Sequence, residues 1–248
     1  MSSTPRQTVL ITGANTGIGE ASARALAAKH AYHVIIGARN LAAGRAVASS
    51  LTAQGLHASA VHLDLADQAS IEAAAKTIET DHGGKLDVLV NNAGVLTETD
   101  PSAAGLTLRQ RFERTFVPNV FGAVCVTEAM LPLLRKAPVP RIVFVSSRMG
   151  SLANAQDPGA AFHDDDFRSY DCSKAALNLL ALNYARMLRD AGGLVNAVCP
   201  GVVSTRINGF MEGAAAVETG AERIVEMATL GAGGPTGTFS DRKGEIAW

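Results

Sequence analysis

The chain has 248 residues, 47% hydrophobic and 18% charged, with 22 basic against 23 acidic side chains. At this length roughly 70% of the unfolded surface is buried on folding, so a core forms without a disulfide or metal, and residues 1–248 read as one domain. A formal net charge of −1 excludes the basic footprint of a nucleic-acid partner.

Short β-branched runs alternate with Ala-rich helical stretches, the form that repeated β-α-β units take around a parallel sheet. In chain order the strand Val9–Thr12 precedes a helix Ile18–Ala31, and His33–Ala38 precedes Leu41–Ala53. Ala58–Leu63 leads to Ala69–His82, and Val88–Asn91 leads to one long helix, Leu108–Leu134. Ile142–Ser146, the helix Ser169–Ala191, Val195–Cys199 and a short strand Thr238–Ser240 complete the pattern. The strands are almost continuously apolar, as expected when helices cover both faces. The prediction is an α/β, doubly wound Rossmann-type parallel sheet in the order 3-2-1-4-5-6-7. Gly209–Gly220 and Gly231–Gly237 flank a short helix and read as mobile. Cys125, Cys172 and Cys199 are scattered, Met1–Gln7 holds no hydrophobic leader, and no unbroken apolar run nears the ~18 residues of a membrane span. The expectation is a cytoplasmic protein with no membrane partner.

After the first strand come Gly13-Ala14-Asn15-Thr16-Gly17-Ile18-Gly19 and a helix. Glycines permit positive φ and close approach of a ligand, and a helix N-terminus offers free N–H groups to a pyrophosphate. No Gly-Lys-Ser/Thr follows, so this is not a Walker loop. Further on, Tyr170 and Lys174 stand four apart in a helical stretch and share a face.

The order T-G-x-x-x-G-I-G, then Asn91-Asn92-Ala93-Gly94, Asn119, a serine after the fifth strand and Tyr170-x-x-x-Lys174 resembles the short-chain dehydrogenase/reductase family over nearly the whole chain. The resemblance implies that Asp64 and Leu65 border the adenine, and that Asn91, Ala93 and Gly94 lie along the nicotinamide-side ribose. Pro200, Gly201, Val203 and Thr205 would wrap the nicotinamide and its phosphate. It also implies a catalytic set in which Tyr170 exchanges a proton with a carbonyl substrate and Ser147 hydrogen-bonds the substrate oxygen. Lys174 would lower the phenol's pKa, and Asn119 would hold a water joining Lys174 to solvent. Tyr170 and Lys174 would also touch the cofactor. Arg39, at the end of the second strand, is where a side chain reaches the adenosine ribose, and a guanidinium there favours the 2'-phosphate of NADP(H) over NAD(H). Some NADP(H)-specific relatives carry a second basic residue in the glycine loop, where this chain has neutral Asn15 and Thr16.

Ser147 and Tyr170 stand 23 positions apart, longer than is usual in that family. The added segment, through Gly150, Asn154, Pro158, Gly159 and His163–Asp166, reads as a specificity loop. In its place and in the tail from Gly234 to Trp248 the chain resembles the monomeric carbonyl reductases, with a shorter insert. His163 and its three aspartates read as a solvated acidic loop, with no metal. The expectation is an NADPH-dependent carbonyl reductase acting on a small carbonyl substrate. An alcohol- or steroid-type dehydrogenase of the same family, working oxidatively, and a non-catalytic NADP(H)-binding regulatory protein are the alternatives. Monomer and homo-oligomer are both open.

Overall fold

The computed structural model describes residues 6–248, and the polar Met1–Pro5 segment lies outside the described residues. An eight-stranded sheet carries the strands β1 (Thr8–Thr12), β2 (His33–Ala38), β3 (Ala58–His62), β4 (Val88–Asn91), β5 (Arg141–Val145), β6 (Leu194–Val198), β7 (Phe239–Asp241) and β8 (Gly244–Glu245). Their spatial order is 3-2-1-4-5-6-7-8, parallel up to β7. The seven expected strands form with ends shifted by no more than one residue. β8 was not expected: it pairs antiparallel with β7 through two residues, too few to leave a periodic signal.

Alternation along the strands sorts the core into two layers. Leu10, Ile35, Leu89, Ile142, Phe144 and Val195 face α3 (Gln68–Asp81), α5 (Ala123–Leu134) and α7 (Arg168–Met187). Val9, Ile11, Ile36, Val90, Val143 and Val198 face α1 (Gly17–His30), α2 (Leu41–Thr52) and α8 (Val217–Ala228). Complete burial of a side chain such as Leu10 or Ile36 stabilises the fold by about 1.5–3 kcal/mol.

The expected long helix Leu108–Leu134 is three pieces: α4 (Leu108–Phe116), a π-helical stretch Val117–Gly122, and α5. Pro118 has no N–H to donate to the preceding turn, so the ladder widens there. By length and composition Leu108–Leu134 passes for a membrane span, yet its apolar residues Val126, Met130 and Leu134 are fully buried in the core. α7 stops at Met187, short of the expected Ala191, and the chain turns through Gly192 at φ 63°. The stretch expected to be mobile, Gly209–Gly220, is pinned where Val203 bridges Ala215 and where Gly220 packs beneath Val203. A short helix, α6 (Leu152–Ala155), lies in the insert.

Candidate active site

The strand order reverses between β1 and β4, where a doubly wound sheet opens a crevice at its C-terminal edge. β1 ends at Thr12, whose hydroxyl accepts from Asn92 N at 3.0 Å and Ala93 N at 2.9 Å. Asn92 Nδ2 donates back to Thr12 O at 2.8 Å. These bonds seat the glycine loop on the end of β4. Gly13 and Gly17 adopt φ 65° and 60°. A Cβ on Gly19 would lie 2.5 Å from Asn92 Nδ2 and 2.7 Å from Gly13 O. Only glycine fits at position 19.

α2, α3 and α4 begin on side-chain caps from Asn40, Asp67 and Thr107, whereas Thr16 gives α1 none. The first turn of α1, with Gly17, Ile18 and Gly19, thus presents its N–H groups and the positive end of the helix to the crevice. Asn15 is half-buried and Thr16 exposed along the loop. Thr205 stands against Gly17, its Cγ2 3.6 Å from where a Cβ on that glycine would lie. This brings the Pro200–Thr205 segment to the loop, with Val203 buried and Gly201 at φ 80°. Arg39 is exposed two residues beyond Gly37, whose carbonyl accepts from Gly13 N at 2.8 Å. Asp64 closes a turn by accepting from Ala66 N at 3.0 Å, and Leu65 lies against Gly122. Asn91 turns its side chain away from the crevice, with Nδ2 donating to Thr127 Oγ1 at 2.9 Å. Any part it has in binding falls to its backbone.

Gly94 joins this end to Asn119 and Lys174: a Cβ there would lie 3.2 Å from Asn119 Oδ1 and 3.7 Å from Lys174 Nζ. Lys174 is 4% exposed and donates to Val145 O at 2.8 Å, with its ammonium 5.4 Å from the centre of the Tyr170 ring. Ser146 is spent on the fold, since its hydroxyl donates to Lys174 O at 3.3 Å. Ser147 follows in extended conformation and accepts from Met149 N at 3.2 Å. A Cβ on Gly150 would lie 2.5 Å from the Lys174 carbonyl carbon, so glycine lets this serine turn press onto α7. Tyr170 and Lys174 on α7, Asn119 on the π-helical stretch and Ser147 in the turn after β5 come together.

Electrostatics differ from expectation. Burial pushes the Tyr170 phenol above its usual value, Cys199, Asp171 and Glu98 add to the rise, and Ser147 opposes it. Burial also draws Lys174 down to about 8. The ammonium was expected to lower the phenol; burial raises it instead, and the ammonium hydrogen-bonds Val145 O. Asn119 also has a duty the sequence did not announce. Its Oδ1 accepts from Val95 N at 2.8 Å, and Nδ2 donates to Val95 O at 2.9 Å and Ser173 Oγ at 3.0 Å. One Oδ1 lone pair is left for a water.

The insert is anchored at its start. Arg148 pairs with Asp241 at 2.7 Å, Ser151 Oγ donates to Ala247 O at 2.7 Å, and Ala153 N donates to Trp248 O at 3.0 Å. Its acidic end is exposed, with Asp166 paired to Arg168. Across the mouth, Thr99 Oγ1 donates to Ile207 O at 2.8 Å, beside exposed Val202, Phe210 and Met211. Thr12, Asn92 and Ser173 bond the residues named above, and Glu98 accepts from Ser169 and Tyr170 at the start of α7; none of these contacts was read from sequence. Thr12 and Asn92 sit inside the quoted motifs and were within reach; Glu98 and Ser173 carry no local signal.

A glycine-floored helix N-terminus, opposite a tyrosine, a lysine and a serine at the edge of a doubly wound sheet, defines a dinucleotide-dependent oxidoreductase. Residues 7–214 match the family model described as short chain dehydrogenase. The chain is 35% identical to a short-chain dehydrogenase of Penicillium roqueforti, over 93% of this chain and 92% of that one. It is 34% identical to the NADPH carbonyl reductase 1 of Sus scrofa, over 100% of this chain and 96% of that one. Among solved structures, the salutaridine reductase of Papaver somniferum superposes with a TM-score of 0.81 at 27% identity, covering 96% of this chain and 100% of that one. The chain belongs to the short-chain dehydrogenase family, and it is an oxidoreductase acting on CH–OH and C=O groups of a small molecule with a nicotinamide cofactor.

Proposed function

We propose that the protein is an NADPH-dependent carbonyl reductase, folded as one NADP(H)-binding unit over residues 1–248. The observation that carries this reading is the pairing of half-buried Tyr170 with buried Lys174 on one face of α7, beside Ser147 and Gly94. The glycine loop and the uncapped end of α1 suit a pyrophosphate, and Arg39 suits a 2'-phosphate. Likeness to carbonyl reductases whose names specify NADPH supports the same choice.

When bound, the cofactor supplies hydride to the carbonyl carbon. As the C=O bond becomes C–O, the oxygen takes the proton of the Tyr170 hydroxyl, and Ser147 donates a hydrogen bond to the same oxygen. A phenol held above its usual pKa is protonated at neutral pH, the form that reduction requires. Lys174, with its pKa near 8, is cationic at that pH and stabilises the phenolate that remains. Asn119 clamps Val95 and keeps the loop bearing Gly94 in place beneath the reacting centre.

The test is NADPH oxidation by the purified protein against aromatic ketones, quinones, keto esters and steroids, with NADP⁺ plus the corresponding alcohols as the reverse arm. Tyr170→Phe is expected to lower turnover by at least ~10²-fold, the scale of a lost general acid, with NADPH affinity retained. Near-native turnover in that variant would remove Tyr170 from the chemistry.

A further inference from the structure

α7, the helix that presents Tyr170, begins at Arg168, and the preceding Phe167 gives it no side-chain cap. Its orphan donors are met from another part of the chain. Glu98 lies in the short turn Thr97–Thr99 beyond β4. Its Oε1 accepts from Ser169 N at 3.0 Å, Ser169 Oγ at 2.6 Å and Tyr170 N at 3.3 Å. Next to the carboxylate, the hydroxyls of Thr97, Thr115 and Ser169 close a triangle with sides of 2.7, 3.0 and 3.3 Å, and all three residues are buried. The turn after β4, α4 and α7 meet at this cluster. A carboxylate at a helix N-terminus satisfies free N–H groups and complements the positive end of the helix, and a bond from a hydroxyl to an ionised oxygen is among the stronger ones.

We infer that Glu98 is a positioning residue for carbonyl reduction, gripping the first turn of α7 so that Tyr170 faces the loop on which the nicotinamide-side ribose rests. The inference rests on the reading of Tyr170 as proton donor. Beyond its anchor on Thr12, the segment 92–98 is then held at Val95 by Asn119 and at Glu98 by α7. The two clamps together set how far Gly94 stands from Tyr170.

The carboxylate also acts through its charge. The groups facing the phenol are Lys174 and Asp171 from α7 itself, Ser147 from the end of β5, Cys199 from the end of β6, and Glu98 from the turn after β4. Glu98 raises the phenol's pKa, and, with burial and Asp166, it raises Asp171 to about 6. Glu98 thereby favours the protonated tyrosine whose direction it fixes. Glu98→Gln keeps an acceptor oxygen for Ser169 and can offer its amide N–H to the Thr97 hydroxyl, but it lacks the charge.

The experiment compares the full-length wild type with Y170F, E98A and E98Q, reading kcat, KM, NADPH affinity by fluorescence and the pH profile of ketone reduction. E98A is expected to lose about 10- to 100-fold in kcat, the scale of a ~1 Å misplacement, while NADPH affinity stays within about threefold. E98Q is expected to recover most of kcat at neutral pH, with its alkaline loss of activity moved to lower pH. That direction holds whether Tyr170 or Lys174 titrates, because removing a negative charge lowers both. Should E98A fail to fold by circular dichroism, E98Q alone decides. Native kcat in E98A, or an alkaline limb in E98Q that coincides with wild type, overturns the role of Glu98 and leaves that of Tyr170 standing. An active Y170F overturns both.

Discussion

Lys174 shows how far a single residue's chemistry depends on its surroundings. An ordinary lysine is charged to beyond pH 10; this one is buried, and its pKa falls to about 8. Its cation is present below that value and lost above it. Reductive turnover is therefore expected to fall as pH rises through about 8, and Lys174→Met should be slow at every pH with no such limb. A wild-type profile flat to about pH 10, the ordinary lysine value, would show that Lys174 is not the titrating support. Arg39 makes a different kind of prediction, because it is exposed at the end of β2 and buries nothing. Arg39→Asp should leave the fold intact and shift the ratio of kcat/KM from NADPH toward NADH by at least ~10-fold, the order of one lost charge-assisted contact to a phosphate. An unchanged ratio would mean that another group reads the phosphate. At this scale residue types and their order were legible in the sequence. The pKa of Lys174 and the duty of Asn119 were not, because both depend on what packs against them.

At the scale of elements, the glycine loop and α1 act as one device. Thr16 leaves the start of α1 uncapped, and Asn92 and Thr12 hold the loop against β4. Gly19→Ala would drive a methyl group into Asn92 Nδ2 and Gly13 O, 2.5 and 2.7 Å away. The loop must then shift, and NADPH affinity is expected to fall by about 10-fold or more, as for a lost contact of ~1.4 kcal/mol. Native affinity in this variant would place the cofactor elsewhere. The sequence marked this device because its requirements are local: a strand end, glycines with positive φ, and a helix start. It failed to mark the π-helical break at Val117–Gly122, although Pro118 stood there, because the Ala-rich periodicity on either side hides a short widening of the ladder. It also gave no sign of the α7 cap, whose donor and acceptor lie 71 positions apart.

Across the whole molecule, the sheet joins these parts. Alternate strand residues bury into one helical layer or the other, and because β1 to β7 are parallel they end at the same edge, where the motifs that follow β1, β4, β5 and β6 converge. At the opposite edge Arg141 is 3% exposed and binds Tyr32 OH at 2.8 Å and Gln7 Oε1 at 2.9 Å, which ties β5 to the starts of β1 and β2 far from the crevice. The sequence by itself determined the α/β class, seven of the eight strands to within a residue, the glycine loop before α1 and the shared helix face of Tyr170 and Lys174. Each of these follows from a short-range rule of periodicity, backbone freedom or helical spacing. Only the tertiary structure decided that burial raises the phenol rather than the ammonium lowering it, that Asn119 and Glu98 clamp one loop from two sides, and that the tail anchors the insert through Ser151 and Ala153. Those outcomes turn on dielectric surroundings and on contacts between residues distant in the chain, and no local pattern encodes either.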